Sequence, residues 1–294
     1  MISVVIISKD EASLDDTLEV VAKQLAGLDE PGEIVVVDAS AGRLDFIRQR
    51  HEADVRWIDF APPPGVRVSI PHQRNAGVRA AQGDVVVFTD SGCLPDDGWL
   101  ARMVSPLRHG EAAVAGTSCD MSGTLRFPTV HIGRVAHSGA AEYLVECPTL
   151  NFGFRRAAFD AVGGFDESFA YGSDVDFTWR LNDSGYQVRY VPDAVLRHDY
   201  GASRRENRRS YLYGKARARL YRKHRARRWS ILRNDPIAVV YPLFLLGLPL
   251  TLVFPLYPLL LLIPAWRNRS AGVIPVLVDH LWFGAGVLAE LAGR

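Results

Sequence analysis

Val85-Val86-Val87-Phe88-Thr89-Asp90 is an unbroken apolar and β-branched run closed by a carboxylate. A strand with one wet face alternates polar and apolar residues, whereas a run without alternation needs both faces covered, as in a parallel sheet flanked by helices. Working outward, Gly83-Asp84 ends a helical stretch predicted over Arg74 to Ala81, and Pro62-Pro63-Pro64-Gly65 reads as a loop. Val55 to Ile58 is a weaker strand, and a short helix is predicted near Leu44 to Arg50. Glu33-Ile34-Val35-Val36-Val37-Asp38 is a second buried strand that also closes on an acid. Before it, Leu14, Leu18, Val21 and Leu25 recur at three- and four-residue spacing, which predicts an amphipathic helix to about Leu28, broken by Pro31-Gly32. Ile2 to Ser8 is the first strand. The β-α-β-α-β order gives an α/β fold with a mostly parallel central sheet and helices on both faces. Ligands in such sheets bind at the carboxyl ends of the strands, where Ser8, Asp38 and Asp90 stand.

The chain has 294 residues, 48% of them apolar and 23% charged, which excludes disorder, collagen and coiled coil as whole-chain descriptions. Three scattered cysteines (Cys93, Cys119, Cys147) are too few for a disulfide scaffold or a four-ligand zinc site and fit a reducing compartment. The net charge of +1 hides a division into three segments. Residues 1–203 hold 18 Lys+Arg against 29 Asp+Glu, residues 204–235 hold 13 against 2, and residues 236–294 hold 3 against 2. An acidic globule (1–203), a basic collar (204–235) and an apolar tail (236–294) are expected. The first residues lack the basic flank and small-residue cleavage site of a signal peptide, so the globule is expected to start at residue 1 and lie in the cytoplasm.

A lone acid after a strand is commonly a helix cap or turn former. Three polar groups at three strand ends suggest a cleft with two carboxylates, able to hold a divalent cation or accept hydrogen bonds from hydroxyls. Neither Gly-x-Gly-x-x-Gly nor Gly-x-x-x-x-Gly-Lys-[Ser/Thr] occurs after the first strand, which disfavours a dinucleotide site or a P-loop.

Five segments, spread over roughly residues 2–200, resemble the family-two glycosyltransferases, which have the GT-A nucleotide-sugar fold. They are Ser3 to Ser8, Ile34 to Asp38, Arg74-Asn75-Ala76-Gly77 with Ala80 to Asp84, Asn151 to Arg156 leading to Gly163-Gly164-Phe165-Asp166-Glu167, and Tyr171 to Leu181 followed by Gly185-Tyr186 and Val191 to Ala194. The resemblance implies an inverting transferase that moves a sugar from a nucleotide-diphosphate sugar to a hydroxyl, with Asp174 as the catalytic base. It implies donor contacts from Ser8, Glu11, Asp38, Arg74, Asp90 and Ser91. Asn151, Gly164, Phe165 and Asp166 are expected on the acceptor and donor-sugar side. A divalent cation, Mg²⁺ or Mn²⁺, is implied at Asp90 and His198. Two positions depart from the family pattern: its Asp-x-Asp motif reads Asp90-Ser91-Gly92, and its Glu-Asp pair reads Ser173-Asp174. Asp96 or Asp97 is the expected substitute for the first missing acid. Cys93 reads as a buried filler, since Mg²⁺ and Mn²⁺ prefer oxygen.

From Pro236 to Trp266 no residue is charged, and a second apolar stretch, Ala271 to Leu291, contains Asp279-His280. Pro242, Pro249, Pro255, Pro258 and Pro264 break the first stretch, which fits one kinked span or a re-entrant hairpin. Two crossings are favoured over one, with Arg267 and Arg269 between them. A basic collar before an apolar stretch is the positive-inside pattern, so the expected location is the inner membrane, with an anionic lipid surface as partner and the globule in the cytoplasm. That location points to a lipid-linked or cell-envelope glycan acceptor. A basic stripe with aromatics is also an RNA footprint, but the apolar tail argues against a nucleic-acid partner. The alternative function is a catalytically inactive relative that binds or scaffolds at the membrane.

Overall fold

The computed structural model describes residues 1–127, 135–138, 141–199, 206–261 and 273–293. The 203/204 boundary, Arg267 and Arg269 lie outside the described residues. The chain forms two compact units, Met1–Tyr200 and Gly201–Arg294.

In the first unit the strands are β1 (Ile2–Ser8), β2 (Gly32–Asp38), β3 (Val55–Asp59), β4 (Val85–Asp90), β5 (Cys93–Pro95), β6 (Ala113–Asp120), β7 (Leu125–Phe127), β8 (Val135–Ser138), β9 (Ala141–Leu144), β10 (Phe152–Arg155) and β11 (Val188–His198). The helices are α1 (Leu14–Ala26), α2 (Asp45–Arg50), α3 (Ile70–Ala80), α4 (Trp99–Arg108), α5 (Arg156–Val162) and α6 (Ser173–Asp183). The described strands make one sheet in the order β3-β2-β1-β4-β10-β6-β11-β9-β8, with β5 on β11 and β7 on β6. β3, β2, β1 and β4 are parallel, as are β6 and β11. β10 runs antiparallel between β4 and β6.

The unalternating strands bury both faces. Ile6, Val36 and Val87 enter one core with Leu14 and Leu18 of α1 and Trp99 and Met103 of α4. Val5, Val37 and Phe88 enter the other, with Val78 of α3 and an aromatic group of Phe154, Phe159, Phe165 and Phe177. α3 lies close on the sheet because Gly77 has no side chain; a Cβ there would run into Val5. Arg156 ties down the end of that helix, donating to the carbonyls of Val78 (2.8 Å), Ala81 (2.8 Å) and Gly83 (3.0 Å).

The second unit contains α7 (Glu206–Lys223), α8 (Ile231–Asn234), α9 (Ile237–Leu246) and α10 (Val273–Ala292). α9 stops at Gly247 and is followed by short 3-10 turns at Leu248–Leu252 and Tyr257–Leu261. Ten helical residues rise about 15 Å, half of a hydrocarbon core of about 30 Å. Among the described residues one helix is long and apolar enough to cross a membrane, Ile274–Ala292. The two crossings expected from the sequence therefore find one such helix among the described residues.

Candidate active site

Parallel register brings the strand ends into one row. Ser8 pairs with Asp38, Ile7 with Asp90, and Asp38 with Asp59. Gln73 of α3 locks the first two strands, its amide donating to the carbonyls of Ser8 (3.0 Å) and Val37 (3.1 Å). The sequence reading passed over Gln73, whose signal was its place directly before Arg74 on the buried face of the helix.

Asp38 is 3% exposed. Its Oδ1 accepts from the Ser40 amide (3.1 Å) and the Ser40 hydroxyl (2.5 Å). Burial pushes its pKa up against those bonds, and the charges of Asp59 and Asp10 add to the rise. Ser40 also receives the Asp10 amide (2.7 Å), which anchors the loop after β1, where Asp10 takes φ +59°. The Ser8 hydroxyl is buried and has no hydrogen-bond partner in the structure. An unsatisfied hydroxyl beside a buried carboxylate is suited to a ligand that donates and accepts.

Arg74 is 5% exposed and donates from Nη2 to both Asp90 oxygens (3.1 and 3.4 Å). Its guanidinium lies 5.8 Å from the Phe88 ring centre and 5.7 Å from that of Phe165. Its Nε is buried without a partner. Ser91 donates its amide to the Ile7 carbonyl (3.2 Å), which holds the turn against β1.

Gly92 accounts for the missing second acid. It has φ +80°, and a Cβ there would lie 2.9 Å from Ser13 Oγ, 3.8 Å from Glu11 Cγ and 3.9 Å from His198 Nδ1. The backbone is thus in the region that disfavours side chains, and the space is already filled. The same crowding brings Glu11, Gly92 and His198 together. His198 Nδ1 is 3.5 Å from the Gly92 carbonyl, at the end of β11 where it pairs with β5. Glu11 accepts from Ser13 Oγ (2.8 Å).

Asp96, one of the two expected substitutes for the missing acid, is ion-paired. Arg197 holds both of its oxygens, at 2.9 and 3.1 Å. Cys93 is a buried thiol pushed up to about 12 by burial, with the Asp90 charge adding. Among the described residues no group of three or more His, Cys, Asp or Glu could by itself hold a metal ion.

Asp174 lies in the first turn of α6, after Gly172 at φ +76°. Its Oδ1 accepts from the Val175 amide (2.9 Å). Burial raises its pKa, and the Arg74 charge pulls the other way. One buried guanidinium thus acts on two carboxylates, Asp90 by contact and Asp174 through space. Ser173, at the position of the other missing acid, is buried.

The loop carrying Gly164, Phe165 and Asp166 is clamped from two helices. Asn75 of α3 accepts from the Phe165 amide (2.9 Å) and donates to the Phe165 carbonyl (2.9 Å) and to Glu167 (2.9 Å). Arg180 of α6 bonds Asp176 (2.8 Å), the Val162 carbonyl (2.5 Å) and the Gly164 carbonyl (2.6 Å). Gly164 has φ +71°, and a Cβ there would lie 2.8 Å from Phe159 and 2.9 Å from Asn75 Oδ1. Phe165 stacks on Phe177 at 4.4 Å. Asp166 Oδ1 accepts from the Ser168 amide (3.0 Å) and hydroxyl (2.7 Å), which shapes its own turn.

Asn151 departs from expectation. It is 1% exposed, and both amide hydrogens are used, on the carbonyls of Thr117 (2.8 Å) and Ala194 (3.0 Å). Its oxygen accepts from Trp99 Nε1 (2.8 Å). The register of β6 with β11 slips between Val191 and Val195, and Asn151 bridges that irregularity. It supports the half of β11 that ends in His198 and has no amide hydrogen left to offer a sugar.

The model of glycosyl transferase family 2 matches residues 3–166, more than half of the chain. The chain belongs to glycosyl transferase family 2. A second model, glycosyl transferase family group 2, matches residues 121–278. The pre-mycofactocin glycosyltransferase of Mycobacterium tuberculosis is 29% identical over 216 residues, 65% of this chain and 42% of that protein. The succinoglycan biosynthesis protein ExoA of Rhizobium meliloti is 35% identical over 213 residues, 66% of this chain and 62% of that protein. The chain thus spans about half the length of such curated relatives. Among solved structures, the mannosyltransferase PcManGT of Pyrobaculum calidifontis, in complex with GDP-Man and Mn²⁺, superposes with TM-score 0.71 at 18% identity, covering 100% of this chain and 87% of that one. At that identity the likeness concerns the fold, which is the GT-A glycosyltransferase fold with its mostly parallel sheet, as the sequence implied.

Proposed function

We propose that this family-two chain transfers a glycosyl group from a nucleotide-diphosphate sugar to an acceptor hydroxyl, with inversion, at a membrane surface. The observation that carries the reading is the convergence of Ser8, Asp38 and Asp90 at one edge of the sheet, with the buried Arg74 bonded to Asp90. Asp38 and the unpartnered Ser8 hydroxyl receive the nucleoside. Glu11, Asp90 and Ser91 face the diphosphate, and the Gly164–Asp166 loop borders the sugar and acceptor side. Asp174 takes the acceptor proton as the acceptor oxygen forms its bond to the anomeric carbon. The bond from that carbon to the diphosphate breaks on the opposite face, so one displacement inverts the centre.

Leaving-group charge needs a positive partner. The Arg74 charge is largely matched by Asp90, so the diphosphate calls for a further positive charge, which a Mg²⁺ or Mn²⁺ ion would supply. Such ions bind through one or two carboxylates when phosphate oxygens and water complete the shell. Asp90, with His198 beside Gly92, fits a cation brought in with the donor rather than one caged by protein. When bound, the ion would neutralise charge on the departing diphosphate.

The basic first part of the second unit and the apolar stretch that follows it support a membrane-held enzyme with its catalytic unit in the cytoplasm and a lipid-linked or envelope glycan as acceptor. A donor screen on the detergent-purified chain tests the proposal by recording thermal shift and nucleotide release with UDP-, GDP- and dTDP-sugars, with and without Mn²⁺. A cation-dependent shift, with release abolished by Asp174→Asn, is the expected result. Gly92 and Ser173 favour a second reading, a binding protein without turnover. A donor shift with no release from the unaltered chain would select it.

A further inference from the structure

α7 runs along α10, the described helix with the length and apolarity to cross a bilayer. The contacts follow the two helices in the same direction. Ser210 bonds Asp279, Gly214 meets the Phe283 carbonyl, Gly286 meets the Tyr211 carbonyl, and Arg219 bonds Glu290 at 2.9 Å. Arg222 and Lys215 also reach Glu290, at 3.4 and 3.6 Å. Asp279 and Glu290 are eleven residues apart, about 16 Å along the axis. α7 therefore accompanies α10 over more than half of its length. Eight of the eighteen residues of α7 are charged, and Lys215, Arg217 and Arg219 fall within the paired stretch. A perpendicular α10 would carry Asp279, six residues inside the helix, and the polar face of α7 beside it into hydrocarbon, where charged groups are strongly disfavoured. Residues 237–261 contain no charge; α9 rests on α10 through Tyr241, which meets Gly284 and shares a 2.9 Å hydrogen bond with His280 Nδ1, and its other side and the turns after it are bare. There Leu246, Leu252, Val253 and Phe254 are exposed, Leu252 by 88% and Val253 by 87%. Just before them Trp229 is 96% exposed among Arg225, Arg227, Arg228 and Arg233. A bare tryptophan among cations suits the headgroup level of an anionic leaflet.

We infer that the second unit is monotopic: residues 237–261 dip into one anionic leaflet, while α7 and α10 lie paired at its surface and neither crosses. This rests on the membrane-associated reading above. The test uses the full chain bound to preformed vesicles of phosphatidylcholine with one third phosphatidylglycerol. Ile274→Cys, Gly293→Cys and, in the catalytic unit, the exposed Asp160→Cys are each labelled with the fluorophore NBD. The native thiols Cys93, Cys119 and Cys147 are buried and contribute little background. External dithionite, which does not cross the bilayer, is expected to bleach all three labels to the same near-complete extent. Protection of either Ile274→Cys or Gly293→Cys on vesicle-bound protein would mean that α10 crosses, and would overturn the inference while leaving the membrane reading intact. Failure of the chain to float with vesicles would remove the membrane reading itself. Arg225→Gln with Arg227→Gln is expected to lower partition onto these vesicles about thirtyfold, at about 1 kcal/mol per surface cation, and to leave partition onto pure phosphatidylcholine unchanged. Equal partition of the unaltered chain onto both vesicle types would overturn the anionic headgroup contact.

Discussion

Asn151→Leu separates a structural from a ligand-binding role for this residue. The leucine keeps the volume but strands three buried groups, the Trp99 indole N–H and the carbonyls of Thr117 and Ala194. An unsatisfied buried donor or acceptor costs about 1–3 kcal/mol. The two carbonyls flank an irregularity where the β6–β11 ladder already slips, so neighbouring strands cannot take over. A loss of about 4 kcal/mol is expected, which in a unit of this size lowers Tm by about 8–16 °C. Thermal unfolding of the full chain followed by tryptophan fluorescence reads this directly. Trp99→Phe removes one of the three bonds and should cost less. Because Trp99 and Asn151 share a bond, the double variant should be more stable than the sum of the two single losses, by about 1 kcal/mol. Activity should fall in proportion to the folded fraction, with the donor KM nearly unchanged. If Asn151→Leu kept its Tm and raised the donor KM tenfold or more, the amide would be a sugar ligand and the structural account would be wrong.

Other substitutions probe the carboxylates and their clamps. Asp174→Asn should lower transfer by about 10²–10⁴-fold, yet raise Tm at neutral pH. Burial raises this carboxyl's pKa, so the folded state favours the proton; the stability this gives is present below the unfolded value and is lost as pH rises through the folded one. Asparagine mimics the protonated form, so its advantage should vanish in acid, and a lower Tm at pH 7 would refute the assignment of burial as the dominant influence. For the same reason kcat/KM of the unaltered chain should drop on the acid side through a pKa above the free value of 3.8, and this limb should be missing from the residual activity of Asp174→Asn. Arg74→Met leaves Asp90 unpaired and is expected to cost about 2–3 kcal/mol, below the range for fully buried pairs because Asp90 is partly open to solvent. Donor-induced thermal shift should disappear with it, and survival of an undiminished shift would remove Arg74 from the site. Gly164→Ala forces φ +71° on a side chain and presses on Phe159 and Asn75; a loss of about 1–3 kcal/mol with reduced kcat is expected, and an unchanged Tm would show that the loop is not clamped as described.

What could be read from the chain follows from how local each signal is. The parallel core was legible because Val85 to Asp90, Glu33 to Asp38 and Ile2 to Ser8 each state their burial in consecutive residues. Their closing residues mark the cleft without any long-range information. β10 was harder: Phe152-Gly153-Phe154-Arg155 is four residues long, and its place between β4 and β6 depends on pairings with segments far away in sequence. Asn151 shows the same limit at the level of a side chain. A polar residue beside a family motif suggests a ligand, and only the positions of Thr117, Ala194 and Trp99 reveal that both its amide hydrogens are taken and its oxygen engaged. The ion pair of Asp96 was hidden for a similar reason, since its partner Arg197 is about a hundred residues away.

Gly92 carries the most consequence for chemistry. Counted in sequence, it is an acid lost from a motif. In space it is a turn at φ +80° packed against Ser13, with Glu11 and His198 at its border. An aspartate restored there would have to hold φ +80° and turn the Ser13 hydroxyl away, so Gly92→Asp should destabilise the chain rather than strengthen its hold on a cation. This separates two accounts of the motif. If the glycine merely records decay, Gly92→Asp should lower the Mn²⁺ concentration needed for half-maximal donor binding at unchanged Tm. If the glycine is required by the backbone that brings His198 to Asp90's end of the sheet, Tm should fall by several degrees and the Mn²⁺ requirement should rise.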